Sequence, residues 1–249
     1  MAERISSKIL IESCANFCVG PDGYRDLPQL IESSVASSSQ KQANIQLSFD
    51  ETYADLRPVR KTSNVEAFVS IMRGCNNMCS FCIVPFTRGR ERSRPFKSIV
   101  AEIEQLSQEG VREVVLLGQN VNSYHCTSED SVSMFPLNSY ESSLGFTNMY
   151  RLRDGAGARF SDLLEAVANI NPEMRIRFTS PHPKDFPDRS LHLIKNYNNI
   201  CSSIHMPVQS GSTQLLARMR RGYTRATYLV WSFTSPSFSS PKHNTHIYN

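Results

Sequence analysis

Three cysteines within eight positions constrain this chain more than any other feature. Cys75, Cys79 and Cys82 lie in Arg73-Gly74-Cys75-Asn76-Asn77-Met78-Cys79-Ser80-Phe81-Cys82, a Cys-x3-Cys-x2-Cys spacing. Thiolates this close must share one short loop. Such a loop can hold three irons of a four-iron, four-sulfur cubane and leave the fourth iron open to an outside ligand. The rival is a structural zinc ion, which takes four ligands, commonly as two Cys-x2-Cys or Cys/His pairs. No matching fourth ligand sits beside the loop, and Cys14 and Cys18, the other close pair, lie far upstream. Spacing therefore favours the cluster, with zinc or inert buried thiols as the alternatives.

The remaining composition narrows the setting. Seven cysteines, unevenly spread, are unlike the paired framework of a secreted disulfide-rich domain and fit a reducing compartment. The apolar runs, such as residues 9–11 and 114–117, fall far short of the ~18 residues that a membrane span needs, so no membrane partner is expected. The N-terminus has no apolar core with a cleavage site, and Glu3 and Glu12 argue against an acid-poor presequence. The net charge is a mild +4. What matters is its clustering: Arg73, Arg88, Arg90, Arg92 and Arg94 crowd one segment, and Arg218, Arg220, Arg221 and Arg225 another.

Along the chain, residues 1–66 are weakly patterned, with Ser33, Ser34, Ser37, Ser38 and Ser39 in one stretch, and read as a linker or remnant with little core. From Ala67 the pattern becomes alternating strands and helices, the mark of an α/β fold with βα units on a parallel sheet. Strands are predicted at 67–72, 113–118, 175–179 and 200–207, and helices at 98–108, 161–170, 188–197 and 212–220. Residues 124–158 form a polar insertion, read as a surface loop. After Val230 the pattern stops, and 231–249 reads as a disordered tail. The domain reading is thus 1–66, 67–230 and 231–249.

In an α/β sheet, ligands gather at the carboxyl ends of the strands. The cysteine loop follows the first predicted strand. Three further strand ends are polar: Gln119, Asn120 and Asn122 after the second, Ser180 and His182 after the third, and Gln209, Ser210 and Ser212 after the fourth. Amides and hydroxyls at one mouth suit a carboxylate, a ribose or a nucleobase. The alternative is ordinary strand-to-helix turns, and Ser212 has the look of a helix N-cap.

Taken together, residues 68–95 (FVSIMRGCNNMCSFCIVPFTRGRERSRP), 116–122 (LLGQNVN), 174–186 (MRIRFTSPHPKDF), 205–212 (HMPVQSGS) and 219–224 (MRRGYT) closely resemble the radical S-adenosylmethionine (SAM) tRNA methylthiotransferases, the MiaB type, and most of all their eukaryotic branch. The resemblance implies a partial (β/α) radical SAM barrel with about four of the usual six strands. It implies a 4Fe-4S cluster on Cys75, Cys79 and Cys82, with SAM chelated to the open iron. Reduction of that cluster cleaves SAM to a 5′-deoxyadenosyl radical. The implied reaction converts N6-isopentenyladenosine next to the anticodon of certain tRNAs to its 2-methylthio derivative.

By the same resemblance, Gln119, Asn120, Ser180, Gln209, Ser210, Arg218 and Arg221 are candidates to bind SAM. Arg88, Arg90, Arg92 and Arg94 are candidates to contact tRNA phosphates, since a basic loop binds the backbone without reading sequence. Members carry a second, auxiliary cluster on three cysteines in an N-terminal domain. This chain is expected to begin just after them and to lack the last barrel strands and an RNA-binding β domain, which speaks against full turnover by it alone. The alternative is a non-catalytic isoform that binds a protein partner such as a kinase regulator, as the name of the eukaryotic branch suggests. The eukaryotic branch points to mitochondria, with cytosol or nucleus as the alternative because the N-terminus carries no targeting signal.

Overall fold

The computed structural model describes residues 8–12, 15–36, 41–48, 65–136, 145–147, 155–234 and 246–248. It opens on a small unit in which strand β1 (Phe17–Val19) pairs in parallel with β2 (Gln42–Asn44), joined through helix α1 (Leu27–Ala36). No residue of α1 is buried, as its serine-rich sequence suggested, yet the unit is not a featureless linker. Ser33, read as part of a linker, lies inside α1 and donates its hydroxyl to the Gln29 carbonyl at 2.8 Å. Ser37, Ser38 and Ser39 lie outside the described residues.

The central sheet is parallel, in the order β3 (Glu66–Ser70), β6 (Glu113–Leu117), β9 (Arg175–Phe178). Register aligns Ala67, Val114 and Ile176, then Val69, Leu116 and Phe178, and every one of these six is buried. Side chains alternate across a strand, so these residues share the face that the helices cover. The opposite row, Phe68, Val115 and Arg177, faces what would be the inside of a barrel, and Phe68 stays 57% exposed there.

Between β3 and β6 run β4 (Met72–Arg73), the short helix α2 (Val84–Thr87), β5 (Arg92–Ser93) and helix α3 (Phe96–Gln108). Phe96, Ile99, Ile103 and Leu106 recur at three- and four-residue spacing on α3 and form its buried stripe. Helix α5 (Phe160–Ile170) buries Phe160, Leu163, Leu164, Val167 and Ala168 in the same way, and packs against both α3 and helix α6 (Asp188–Asn196). These are the βα units that the sequence pattern predicted, each within about two residues of its expected bounds.

Three regions differ from expectation. First, the insertion is anchored at its base. β7 (His125–Cys126) pairs antiparallel with β8 (Ala158–Arg159), and helix α4 (Glu129–Met134) follows β7. Tyr124, 1% exposed, donates its hydroxyl to the Arg94 carbonyl at 2.8 Å. The polar composition hid these few buried residues. Second, the fourth predicted strand is split. Ile200 bridges Ile176 in parallel, and Cys201 donates to the Ile176 carbonyl. A separate strand, β10 (Ser203–His205), then pairs in parallel with β11 (His246–Tyr248). The stretch read as a disordered tail thus supplies a strand, while 235–245 and 249 lie outside the described residues. Third, after helix α7 (Thr213–Arg218), helix α8 (Arg225–Thr234) runs past Val230. Trp231 is buried against Phe186 and Phe146, at ring-centroid distances of 5.9 and 6.4 Å. Among the described residues no helix is long and apolar enough to cross a membrane.

Candidate metal centre

β4 and β5 form a two-residue antiparallel neck, with Met72 opposite Ser93 and Arg73 opposite Arg92, and the cysteine loop is the excursion between them. The loop closes on itself through the Cys75 N–H to the Gly89 carbonyl at 3.2 Å, the Cys79 N–H to Asn77 at 2.7 Å and the Cys82 N–H to Cys79 at 3.0 Å. Gly74 leads into it at φ +72, and a Cβ there would stand 2.1 Å from the Arg90 carbonyl oxygen, so only glycine fits. The far side of the loop docks on the end of α7. The Ser80 N–H and hydroxyl donate to the carbonyls of Met219 and Arg218 at 3.2 and 2.9 Å.

Cys75 and Cys79 are buried and Cys82 is half-buried. The Asn77 N–H points at the Cys75 sulfur at 3.4 Å, and the Arg221 guanidinium at the Cys79 sulfur at 3.5 Å. Donors aimed at sulfur are what an anionic thiolate-ligated cluster needs, since they offset its charge and help set its potential. Burial pushes the Cys75 thiol up to about 12, with the neighbouring Glu91, Cys79 and Cys82 acting in the same direction against the Asn77 N–H. The bare thiol stays protonated at neutral pH, and a metal must displace that proton to bind. Among the described residues no three His, Cys, Asp or Glu side chains converge on a single ion. Three cysteines on one short loop, with donors aimed at two of their sulfurs, are a ligand set that a 4Fe-4S cluster fits.

The strand ends meet beside this loop. The Gln119 side-chain carbonyl accepts from the Gly74 N–H at 2.6 Å, tying the end of β6 to the loop entry. Asn120, 2% exposed, donates to Asp185 at 2.8 Å, while its own amide oxygen is buried without a hydrogen-bond partner among the described residues. Asn122 and His182 clasp each other: the Asn122 amide donates to the His182 carbonyl at 2.7 Å and the His182 N–H returns at 2.8 Å. Lys184 pairs with Asp185 at 3.0 Å. Ser123 donates to Glu91 at 2.6 Å, so the network reaches the segment just after the cysteine loop. Desolvation pushes the Glu91 carboxyl up to about 7, aided by Asp185 and opposed by Ser123 and Lys184. Burial, with Arg221 and Lys184 nearby, holds His182 well below its usual value.

Ser180 and Gln209 sit at φ +57 and +73, uncommon for residues with side chains, and both are exposed at the mouth. Ser210 accepts from the Ser212 N–H at 3.1 Å, and Ser212 caps α7 through the Leu215 N–H, as its sequence position suggested. Arg218 exposes its side chain, whereas Arg221 is buried, stacked over the Tyr223 ring at 5.5 Å from its centroid and bonded to the Tyr223 hydroxyl at 3.1 Å.

The four loop arginines part company. Arg88 and Arg90 are exposed. Arg92 and Arg94, expected to face RNA, instead turn inward and are 6 and 7% exposed. Arg92 reaches Asp22 and the Ser48 carbonyl at 3.2 and 3.0 Å, and Arg94 pairs with Glu102 at 2.8 Å. Their carboxylate partners lie 70 and 8 residues away, which no local pattern signals. Sequence reasoning also passed over Glu91, Ser123, Lys184, Asp185 and Tyr223. All of these but Ser123 lie inside the resembling segments, and their roles follow only from the folding together of distant parts of the chain.

The model of the Radical SAM superfamily matches residues 69–229, and the chain belongs to that superfamily. Within it, the chain is 57% identical over 232 residues to the mitochondrial tRNA methylthiotransferase CDK5RAP1 of Rattus norvegicus, covering 92% of this chain and 39% of that protein. It is 51% identical to a CDK5RAP1-like protein of Caenorhabditis elegans, with 92 and 42% covered. It is 47% identical to the tRNA-2-methylthio-N(6)-dimethylallyladenosine synthase of Chloroherpeton thalassium, with 92 and 44% covered. The chain thus spans about two fifths of the length of these relatives, and the family resemblance read from the motifs holds.

Proposed function

We propose that this chain carries the radical-generating part of a tRNA methylthiotransferase that converts N6-isopentenyladenosine, next to the anticodon, to its 2-methylthio derivative. The observation that carries this reading is the cysteine loop with the Asn77 N–H and the Arg221 guanidinium aimed at its sulfurs, beside a cluster of polar strand ends. When bound, a reduced 4Fe-4S cluster with SAM on its open iron supplies a 5′-deoxyadenosyl radical.

The chain's own residues hold and shield. Cys75, Cys79 and Cys82 ligate the cluster, and Arg221 offsets its charge from the Cys79 side. Gln119, Ser180, Gln209 and Ser210 line the mouth where SAM would lie, with Asn120 offering its spare amide oxygen. Arg218, exposed beside the loop's docking point, completes this set. The buried neighbours of the loop limit water, which protects a radical from quenching. Arg88 and Arg90 contact tRNA phosphates. Residues 67–230 act as the radical SAM unit and hold its cluster, flanked by 1–66 and 231–249. The names of the rat and Chloroherpeton thalassium relatives support tRNA as the substrate, and the rat name supports a mitochondrial site.

The test is anaerobic reconstitution with iron and sulfide, followed by electron paramagnetic resonance of the reduced chain. One cluster signal that shifts on adding SAM and disappears in Cys79→Ala supports the reading. A signal indifferent to SAM, or no cluster, overturns it.

A further inference from the structure

At the neck of the cysteine loop, Arg73 and Arg92 stand directly opposite each other in an antiparallel pair. Like charges in that position repel and destabilise the pairing. Asp22, from the turn after β1, enters from outside the superfamily match. Its side chain is 3% exposed, and its carboxylate lies 3.2 Å from the Arg92 guanidinium and 3.7 Å from that of Arg73. The same carboxylate accepts from the Ser48 N–H at 2.9 Å, and Arg92 donates to the Ser48 carbonyl at 3.0 Å. Arg92 also donates to the Arg88 carbonyl at 3.2 Å, inside the loop itself. Leu47 lies 3.6 Å from where a side chain on Gly89 would begin.

We infer that Asp22 is a positioning residue that locks the neck of the cysteine loop, so that docking of the N-terminal unit and the ability of the loop to hold a cluster are coupled. The carboxylate neutralises two cross-strand arginines that the neck cannot keep together by itself. With the neck closed, the Cys75 N–H meets the Gly89 carbonyl and the first cysteine is held in place. With the N-terminal unit undocked, repulsion opens the neck and Cys75 is freed. The inference rests on the cluster reading only for its spectroscopic consequence, because opening of the neck is measured without a cluster.

The experiment compares the full chain with Asp22→Asn, Arg73→Gln and the double variant, by hydrogen exchange of peptides covering 72–76 and 88–94 and by iron content and the resonance spectrum after reconstitution. Asp22→Asn is expected to speed exchange at the neck at least about tenfold, while peptides from β6 and α5 keep their protection, and to lower and broaden the cluster signal. Removing the opposing charge in the double variant restores both, and Arg73→Gln alone leaves the neck closed. Unchanged neck exchange in Asp22→Asn overturns the inference, as does a double variant no better than the single. Should Asp22→Asn fail to fold, the double variant decides: recovery of a folded, protected neck supports the charge account, and continued failure overturns it. A wild-type chain with a protected neck but no cluster would count against the proposed function and leave this inference standing on the exchange data.

Discussion

Single residues decide whether the loop can do its chemistry. Gly74 combines φ +72 with a backbone oxygen 2.1 Å from any added Cβ. Gly74→Ala must therefore move the neck, and we expect a loss on the order of 1–3 kcal/mol in stability with most of the bound iron, measured by thermal unfolding and iron assay. The Arg221 guanidinium donates to the Cys79 sulfur at 3.5 Å. Arg221→Met keeps the bulk but removes the donor, so reduction, which adds negative charge, becomes harder. The cluster midpoint should fall on the order of tens of millivolts in a redox titration. Glu91 makes a pH prediction. Its folded value, about 7, lies above the ordinary 4.5, so the native state keeps a proton that the unfolded chain has released. Stability from this group is present at acid pH and is lost as pH rises through that window. Glu91→Gln removes the loss and should be the more stable form at pH 8, on the order of 1–2 kcal/mol, with the gap closing toward pH 5 in denaturant titrations. His182, held low, gives wild type and variant alike an opposite slope below 6.5, so the difference between them isolates Glu91.

Elements were legible where their pattern is local. β6 reads as a Val- and Leu-rich strand, and α3 and α5 as amphipathic stripes, because each buries a face whose spacing is set by its own backbone geometry. The cysteine loop was legible for a chemical reason, since its spacing has few uses. What escaped is what tertiary contact creates. Arg92 and Arg94 look like solvated basic residues until Asp22 and Glu102 arrive beside them. The foot of the insertion looks like a polar loop until Tyr124 is seen to be covered, and Gly157 until its missing side chain is seen to admit the Cys126 carbonyl, 2.2 Å from where a Cβ would be. Trp231 looked like the start of a patternless tail, yet it closes the aromatic packing over Phe186. The central strand also gives the plainest stability test at this scale. Leu116 is fully buried between Val69 and Phe178 in register. Leu116→Ala should cost about 2–5 kcal/mol in denaturant unfolding, through lost burial and the cavity left behind.

For the whole molecule, the division of the arginines separates binding from folding. A loop with four basic residues suggests a four-charge RNA contact, but only Arg88 and Arg90 are exposed. Each phosphate contact releases condensed counterions, so the slope of log affinity against log salt counts the charges engaged. Replacing Arg88 and Arg90 with alanine should weaken tRNA binding and flatten that slope by about 0.7 per residue if the contacted strand is single, while leaving the thermal transition in place. Arg94→Ala belongs to a different class. It leaves Glu102 mostly buried without the guanidinium at 2.8 Å, and breaking such a pair from one side costs about 3–5 kcal/mol, so its effect should appear in unfolding rather than in the salt slope. Binding measured from 50 to 300 mM salt, with unfolding followed on the same samples, tests both halves. If Arg94→Ala lowers the slope as Arg88→Ala does while its stability stays that of the wild type, the inward placement of Arg94 is not its working state, and the basic surface offered to RNA is larger than the exposed pair.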